Sequence, residues 1–262
     1  MELVVDGKKV FAATGGKPFK PELPTVIFIH GAGMDHTVWT LQTRFFAHHG
    51  RNVLALDLPG HGRSEGPALG SIGALADWVI RVADAIELQK AALVGHSMGA
   101  LTALEAASRA PTRVWALALL GVAARMPVHP DLLKSAKSGA HEAIDLIASW
   151  GYGRRAHLGG AQAPGAWMLG GGIRLLERGG NGVLGSDLDA CNAYLGAAEA
   201  AAKVTCPVVL VVGEMDRMTA PAGARDLATK FQDARVIAVP GAGHVMMIEQ
   251  PDRTLDALAE AI

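Results

Sequence analysis

Cysteine is nearly absent from this chain. Its 262 residues hold two, Cys191 and Cys206, too few for a disulfide framework and in no C-x-x-C spacing that would hold a metal. Two reduced thiols and no metal site are therefore expected. An excess of charge of one sign is also missing: 24 basic and 25 acidic side chains leave a formal charge of −1. Nothing electrostatic then favours nucleic acid or an anionic membrane as a partner, and a small molecule of little charge is the expected one. Long apolar runs are missing too. The longest, around residues 115–124, falls well short of the roughly 20 residues that a membrane span requires. The first nine residues carry an early acid, Glu2, and no apolar stretch of the kind a secretory signal needs, so a cytoplasmic location is expected. No internal repeat or low-complexity tract stands out. The length suits one sizeable α/β core rather than two catalytic domains.

What the chain does have is glycine, 32 residues of it, and one small group is informative. Gly95-His96-Ser97-Met98-Gly99 sets a serine in a G-x-S-x-G frame between a strand-like run at 91–94 and good helix formers at 100–107. A serine at such a sharp turn is held in a strained backbone conformation. The flanking glycines remove Cβ atoms that would collide with the neighbouring strand and helix. The hydroxyl is then exposed at the carboxyl end of a sheet, beside the positive N-terminus of the next helix. Alone, the pattern also describes a tight turn in a Gly-rich chain.

An activated serine needs a base, the base an orienting acid, and the reaction donors for an oxyanion. Of ten histidines, His244 combines a Gly-rich loop, a preceding strand-like run at 235–239 and a late position in the chain. His30 and His96, beside glycines at strand ends, suit packing or a backbone hydrogen bond. The acid expected is Asp216, at the exit of the apolar run 208–212, with Glu214 as its rival. Asp57 also follows a strand, but the stretch from Asp57 to Ser64 reads as a turn whose Asp and Ser side chains bond their own backbone. The oxyanion donors expected are the N–H of Met98, next to the nucleophile, and that of Ala32 in His30-Gly31-Ala32-Gly33-Met34, with Gly33 as fallback.

With Ser97, Asp216 and His244 in that chain order and an H-G-x-G loop upstream, the sequence resembles the α/β-hydrolase family. Within it the chain is similar to small bacterial carboxylesterases and lipase-like serine hydrolases. The resemblance implies an α/β fold with a mostly parallel eight-stranded sheet, flanked by helices and carrying an inserted helical lid. It implies no cofactor. The serine at 97 departs from the haloalkane dehalogenase and epoxide hydrolase branches, whose elbow carries aspartate. Ring-cleavage C–C hydrolases share the triad but usually have a longer, more polar oxyanion loop.

Strand and helix patterns alternate regularly up to Gly121. They open with a hairpin around Asp6-Gly7, a preferred two-residue turn. No strand-like run follows until about 202, and the strand-helix rhythm then resumes. A core of 1–121 and 202–262 with a cap of 122–201 is expected, the cap carrying Trp150, Tyr152, Trp167 and Tyr194. Its glycine clusters, 170–172 among them, read as connections between helices. Met34, Trp167 and Val245 are expected at the pocket. The activity expected is hydrolysis of carboxylic esters of small, largely apolar substrates through an acyl-enzyme. An acyl thioesterase, a receptor-like binder and a lyase on the same scaffold are the alternatives, and four arginines of the cap, Arg154, Arg155, Arg174 and Arg178, leave the thioesterase open. The oligomeric state is not readable.

Overall fold

The computed structural model describes residues 1–161 and 166–262. Eight strands form one sheet: β1 (Glu2–Val5), β2 (Lys8–Ala13), β3 (Thr25–Ile29), β4 (Asn52–Leu56), β5 (Ala91–His96), β6 (Val114–Leu120), β7 (Val208–Gly213) and β8 (Ala234–Val239). Their spatial order is β1-β2-β4-β3-β5-β6-β7-β8. β2 runs antiparallel to both of its neighbours, β1 and β4, and the strands from β4 to β8 in that order pair in parallel. The first hairpin turns where Asp6 and Gly7 both take positive φ, +52° and +74°, the handedness that a two-residue hairpin needs.

Twelve helices are described: α1 (Thr40–His48), α2 (Ile72–Ala85), α3 (Met98–Arg109), α4 (Pro130–Ser138), α5 (Glu142–Gly151), α6 (Arg154–His157), α7 (Met168–Glu177), α8 (Val183–Ala193), α9 (Ala197–Lys203), α10 (Pro221–Ala228), α11 (Met246–Glu249) and α12 (Pro251–Ala259). A 3₁₀ turn, His36–Trp39, leads into α1. None of the described helices is long and apolar enough to cross a membrane.

Alternation along the parallel strands divides the core between the two faces of the sheet. Ile27, Leu54, Leu93, Leu117 and Leu210 pack on one side with α2, α3 and α9. Val26, Val53, Val94, Ala118 and Val209 pack on the other. Strands buried on both faces read as unbroken apolar runs, which is how β3 and β7 look in the sequence. On α2 the buried positions Ile72, Leu75, Ala76, Val79 and Val82 recur at helical spacing.

The order β4-β3-β5 means that the chain grows one way from β3 and then returns to its other side. The crevice beyond the carboxyl ends of β3 and β5 is therefore a topological switch point, where open α/β sheets place their ligands. Between β6 and β7 the chain inserts α4 to α9. Among these, α4 packs on α5 and α8, and α5 on α7, whereas α9 lies against α3 of the core.

One expectation is corrected here. Gly170, Gly171 and Gly172 do not connect helices but lie inside α7. A Cβ at Gly172 would run into the Tyr152 hydroxyl and one at Gly170 into the Trp167 ring, so two of these glycines serve close packing. Cys191 and Cys206 are both free and buried.

Candidate active site

Ser97 sits between β5 and α3 with φ 53° and ψ −115°, a conformation that costs a non-glycine residue about 1–3 kcal/mol. Its surroundings hold it there. Its N–H donates to the Leu120 carbonyl at 2.8 Å, and its own carbonyl accepts from Ala100 at 2.9 Å and Leu101 at 3.1 Å. The glycines around it leave no room for alternatives. A Cβ on Gly95 would strike the Gly99 carbonyl, and one on Gly99 the Ile29 carbonyl. Met98 is the first residue of α3, so its N–H is a first-turn donor without an intrahelical acceptor.

His244 and Asp216 arrive from the loops after β8 and β7. The imidazole Nδ1 donates to Asp216 Oδ2 at 2.8 Å. Asp216 Oδ2 also accepts from the Thr219 hydroxyl at 2.7 Å, and Oδ1 accepts from the N–H groups of Met218 and Thr219, both at 2.8 Å. Burial pushes the Asp216 carboxyl up, but the His244 charge and these hydrogen bonds outweigh it and hold it below the usual carboxylate range. Glu214 is exposed and stays outside this network. With Nδ1 committed to Asp216, Nε2 is the ring nitrogen left for a hydroxyl. No hydrogen bond joins it to Ser97 among the described residues, as is common in sites without substrate.

The loop that carries His244 is tied to the insertion. His244 N–H donates to the Gly151 carbonyl at 2.7 Å. The buried Glu249 carboxylate accepts from Gly243 N–H at 3.0 Å and from Gly153 N–H at 2.7 Å. Burial raises the Glu249 pKa against the pull of those donors. His96 donates from Nε2 to the His244 carbonyl at 2.9 Å, leaving a buried Nδ1 without a partner. Sequence reasoning missed Glu249, which carries no local signal beyond one acid in an otherwise apolar stretch. It also missed Thr219, whose place three residues after Asp216 was a usable sign of a side-chain turn.

In the loop after β3, Met34 N–H closes a turn on the Gly31 carbonyl at 3.2 Å. Gly33 N–H is already given to Asp187 Oδ2 at 2.8 Å. Ala32 and Ser97 both line one cavity of about 390 Å³. Its walls are mostly apolar, from Met126, Val128, Leu132, Trp150, Leu188 and Met218, with Ser97, His244, Thr219 and Arg217 among the polar lining.

The three pocket residues expected from the sequence do not line this cavity. Met34 faces a second cavity, shared with His36, His61 and Arg178. Val245 is 1% exposed and packs in the apolar cluster under the sheet with Met246 and Met247. Trp167 is 69% exposed, its ring lying along Gly170. Adjacency to a particular loop says nothing about which way a side chain points. Asp35, His36 and Asp57 come close enough together to suggest a cation site, but their carboxylates are in use. Asp57 accepts from His36 and from Arg63 N–H, and Asp35 from Thr37 and Arg178.

A model of the alpha/beta hydrolase family matches residues 26–257. Among curated proteins, a dihydrolipoyllysine-residue acetyltransferase component of the acetoin cleaving system from Cupriavidus necator is 40% identical over 118 residues, 44% of this chain and 30% of that protein. A pimeloyl-(acyl-carrier protein) methyl ester esterase from Methylococcus capsulatus is 37% identical over 116 residues, 41% of this chain and 40% of that protein. The chain thus spans less than half the length of these relatives. Among solved structures, an enol-lactonase from Burkholderia xenovorans superimposes with a TM-score of 0.88 at 22% identity, covering 99% of this chain and 98% of that one. A thermophilic esterase gives 0.80 at 26%, covering 99% and 95%.

Proposed function

The chain belongs to the alpha/beta hydrolase family, and from that premise we propose that it is a serine hydrolase cleaving carboxylic esters of small, largely apolar substrates. His244 takes the Ser97 proton as the oxygen attacks the ester carbonyl. The N–H groups of Ala32 and Met98 receive the oxyanion, and Asp216 steadies the imidazolium. The alcohol leaves with the proton from His244, and water then releases the acid by the same steps. Residues 122–201 act as the cap over a core of 1–121 and 202–262. The observation that carries this reading is the 2.8 Å bond between His244 Nδ1 and Asp216 Oδ2 at the cavity that Ser97 lines. The experiment is a panel of p-nitrophenyl esters of rising chain length, with a fluorophosphonate probe and mass mapping of the modified residue. Turnover of short esters with label on Ser97 is expected. A chain that cleaves none of them and leaves Ser97 unlabelled overturns the proposal.

One observation favours the thioesterase as a second reading. Arg217 lines the catalytic cavity and also an adjoining one of about 360 Å³, whose other walls include Arg154 and His157 and no carboxylate. Neither arginine has an ion-pair partner among the described residues, whereas Arg174 and Arg178 are paired with Glu177 and Asp35. A leaving group with an anionic tail, such as a coenzyme A thioester, would find compensating charge there. Arg217→Gln is expected to raise KM for such a thioester by roughly 2–5-fold, the scale of an exposed charge pair. KM for a neutral short-chain ester should stay within about twofold. Equal effects on both substrates would dismiss the charged-tail reading.

A further inference from the structure

We propose that Asp187, a residue of the inserted helices, is the positioning residue of the oxyanion loop, holding the Gly33 peptide so that Ala32 presents its N–H to the cavity. The inference rests on the serine hydrolase reading of that cavity. Asp187 lies on α8 and is fully buried. A single oxygen, Oδ2, accepts from Gly33 N–H and from His61 Nε2, both at 2.8 Å. The other oxygen, Oδ1, is buried without a partner. The carboxylate is therefore aimed at the loop and the imidazole rather than spread over several donors.

His61 is part of the device. Its Nδ1 faces the Pro59 carbonyl at 3.0 Å while Nε2 faces the carboxylate. Both ring nitrogens face acceptors, an arrangement that favours the doubly protonated ring. Burial alone would lower its pKa, yet the Asp187 partner outweighs that and leaves it raised. The result is a buried Asp–His pair, with both side chains 1% exposed, between the insertion and the turn after β4. Apolar contacts would dock α8 without any desolvation cost. What a charged acceptor adds is direction.

That direction matters because of the loop's geometry. Gly33 has φ +66°, and a Cβ there would come within 2.9 Å of Leu184, one turn before Asp187 on α8. The peptides on either side of Ala32 share its Cα. Anchoring the Gly33 N–H to α8 therefore restricts how far the Ala32 N–H can swing. A loosened donor weakens binding of the oxyanion, which exists only on the way to and from the tetrahedral state, and leaves ground-state binding nearly untouched.

The experiment compares Asp187→Ala, Asp187→Asn, His61→Gln and Asp189→Asn. The last is a control on the same helix, whose exposed carboxylate pairs with Lys137 and not with the loop. For a p-nitrophenyl ester, Asp187→Ala is expected to lower kcat by about 10–100-fold with KM within about twofold, short of the roughly 10²–10³ for outright loss of an oxyanion donor. Asp187→Asn keeps one acceptor and should recover part of the loss. His61→Gln should show a smaller loss in kcat, and Asp189→Asn none. Amide hydrogen exchange over residues 31–34 should quicken in Asp187→Ala and not in Asp189→Asn. This readout needs no turnover, so it judges the clamp even if the wild-type chain cleaves no ester. Should Asp187→Ala fail to fold, Asp187→Asn and His61→Gln carry the comparison. Folded Asp187 variants with unchanged kcat, or unchanged exchange in the loop, overturn the proposal.

Discussion

Replacing Ser97 with alanine is expected to lower kcat for a short-chain aryl ester by on the order of 10⁶-fold, the loss known when a Ser-His-Asp unit is deprived of its nucleophile. The residual rate would come from the oxyanion donors and from binding alone. Stability should move little. The hydroxyl makes no hydrogen bond among the described residues, the backbone bonds at 97 are main-chain ones, and alanine inherits the same strained φ of 53°. A change within about 1 kcal/mol in urea unfolding is expected, with an unchanged circular dichroism spectrum. Turnover close to wild type in a folded Ser97→Ala protein would falsify the mechanism outright, because no other hydroxyl stands at that elbow.

The second large effect expected is loss of stability in mild acid. His30 and His96 are both completely buried, and burial, followed by a neighbouring histidine, lowers each from the ordinary 6.5 to about 3. Their hydrogen bonds agree with neutral rings. His30 accepts Leu58 N–H on Nε2 at 3.1 Å while Nδ1 donates to the Gly31 carbonyl at 2.8 Å. In His96 the proton on Nε2 is given to the His244 carbonyl, and Nδ1 has no acceptor waiting for a second one. A folded pKa below the unfolded one means that the stabilisation is present above pH 6.5 and is lost as pH falls toward 3.

Within that window the unfolded chain binds about two more protons than the folded one. Stability therefore falls by roughly 3 kcal/mol per pH unit. From pH 6 to pH 4 this amounts to about 5 kcal/mol, a large part of the about 5–15 kcal/mol of an ordinary domain. Glu249, whose raised pKa acts in the opposite sense, offsets some of it. Asp216, held low, adds its own loss only below the usual carboxylate range. His61, with its raised pKa, stabilises fully below 6.5 and loses that contribution as pH rises through its folded pKa. Urea midpoints at pH 7.5, 6 and 5 measure the slope. Replacing either His30 or His96 with glutamine should halve it. A midpoint flat between pH 6 and 5, or imidazole resonances of both residues titrating near 6.5 in the folded protein, would refute the expectation.

Features carried by local pattern were legible in advance. The Asp6-Gly7 hairpin, the apolar strands β3 and β7 and the serine turn at 97 all rest on residues within a few positions of one another. Asp216 and His244 were legible as loop residues following strands. The errors share a cause. Gly170, Gly171 and Gly172 look like a break in any reading limited to propensity, because the reason for two of them is a pair of rings, Tyr152 and Trp167, that approach α7 from outside its own turns. Trp167 looks like a pocket wall for the same reason. Asp187 and Glu249 look like ordinary helical acids, since the Gly33 and Gly153 N–H groups they hold lie 154 and 96 residues away.

The sequence by itself determined the alternation of strands and helices, the strained serine turn, and the residue types available for nucleophile, base and acid. Each depends on backbone preference and hydrophobic period, which act over a turn or two of chain. Only the tertiary structure decided that Asp216 rather than Glu214 meets His244, that Gly33 gives its N–H to α8, and which side chains of the insertion face Ser97. Those outcomes depend on the direction of side chains across surfaces joined by packing, and burial makes each unpaired donor or charge costly enough to select one arrangement.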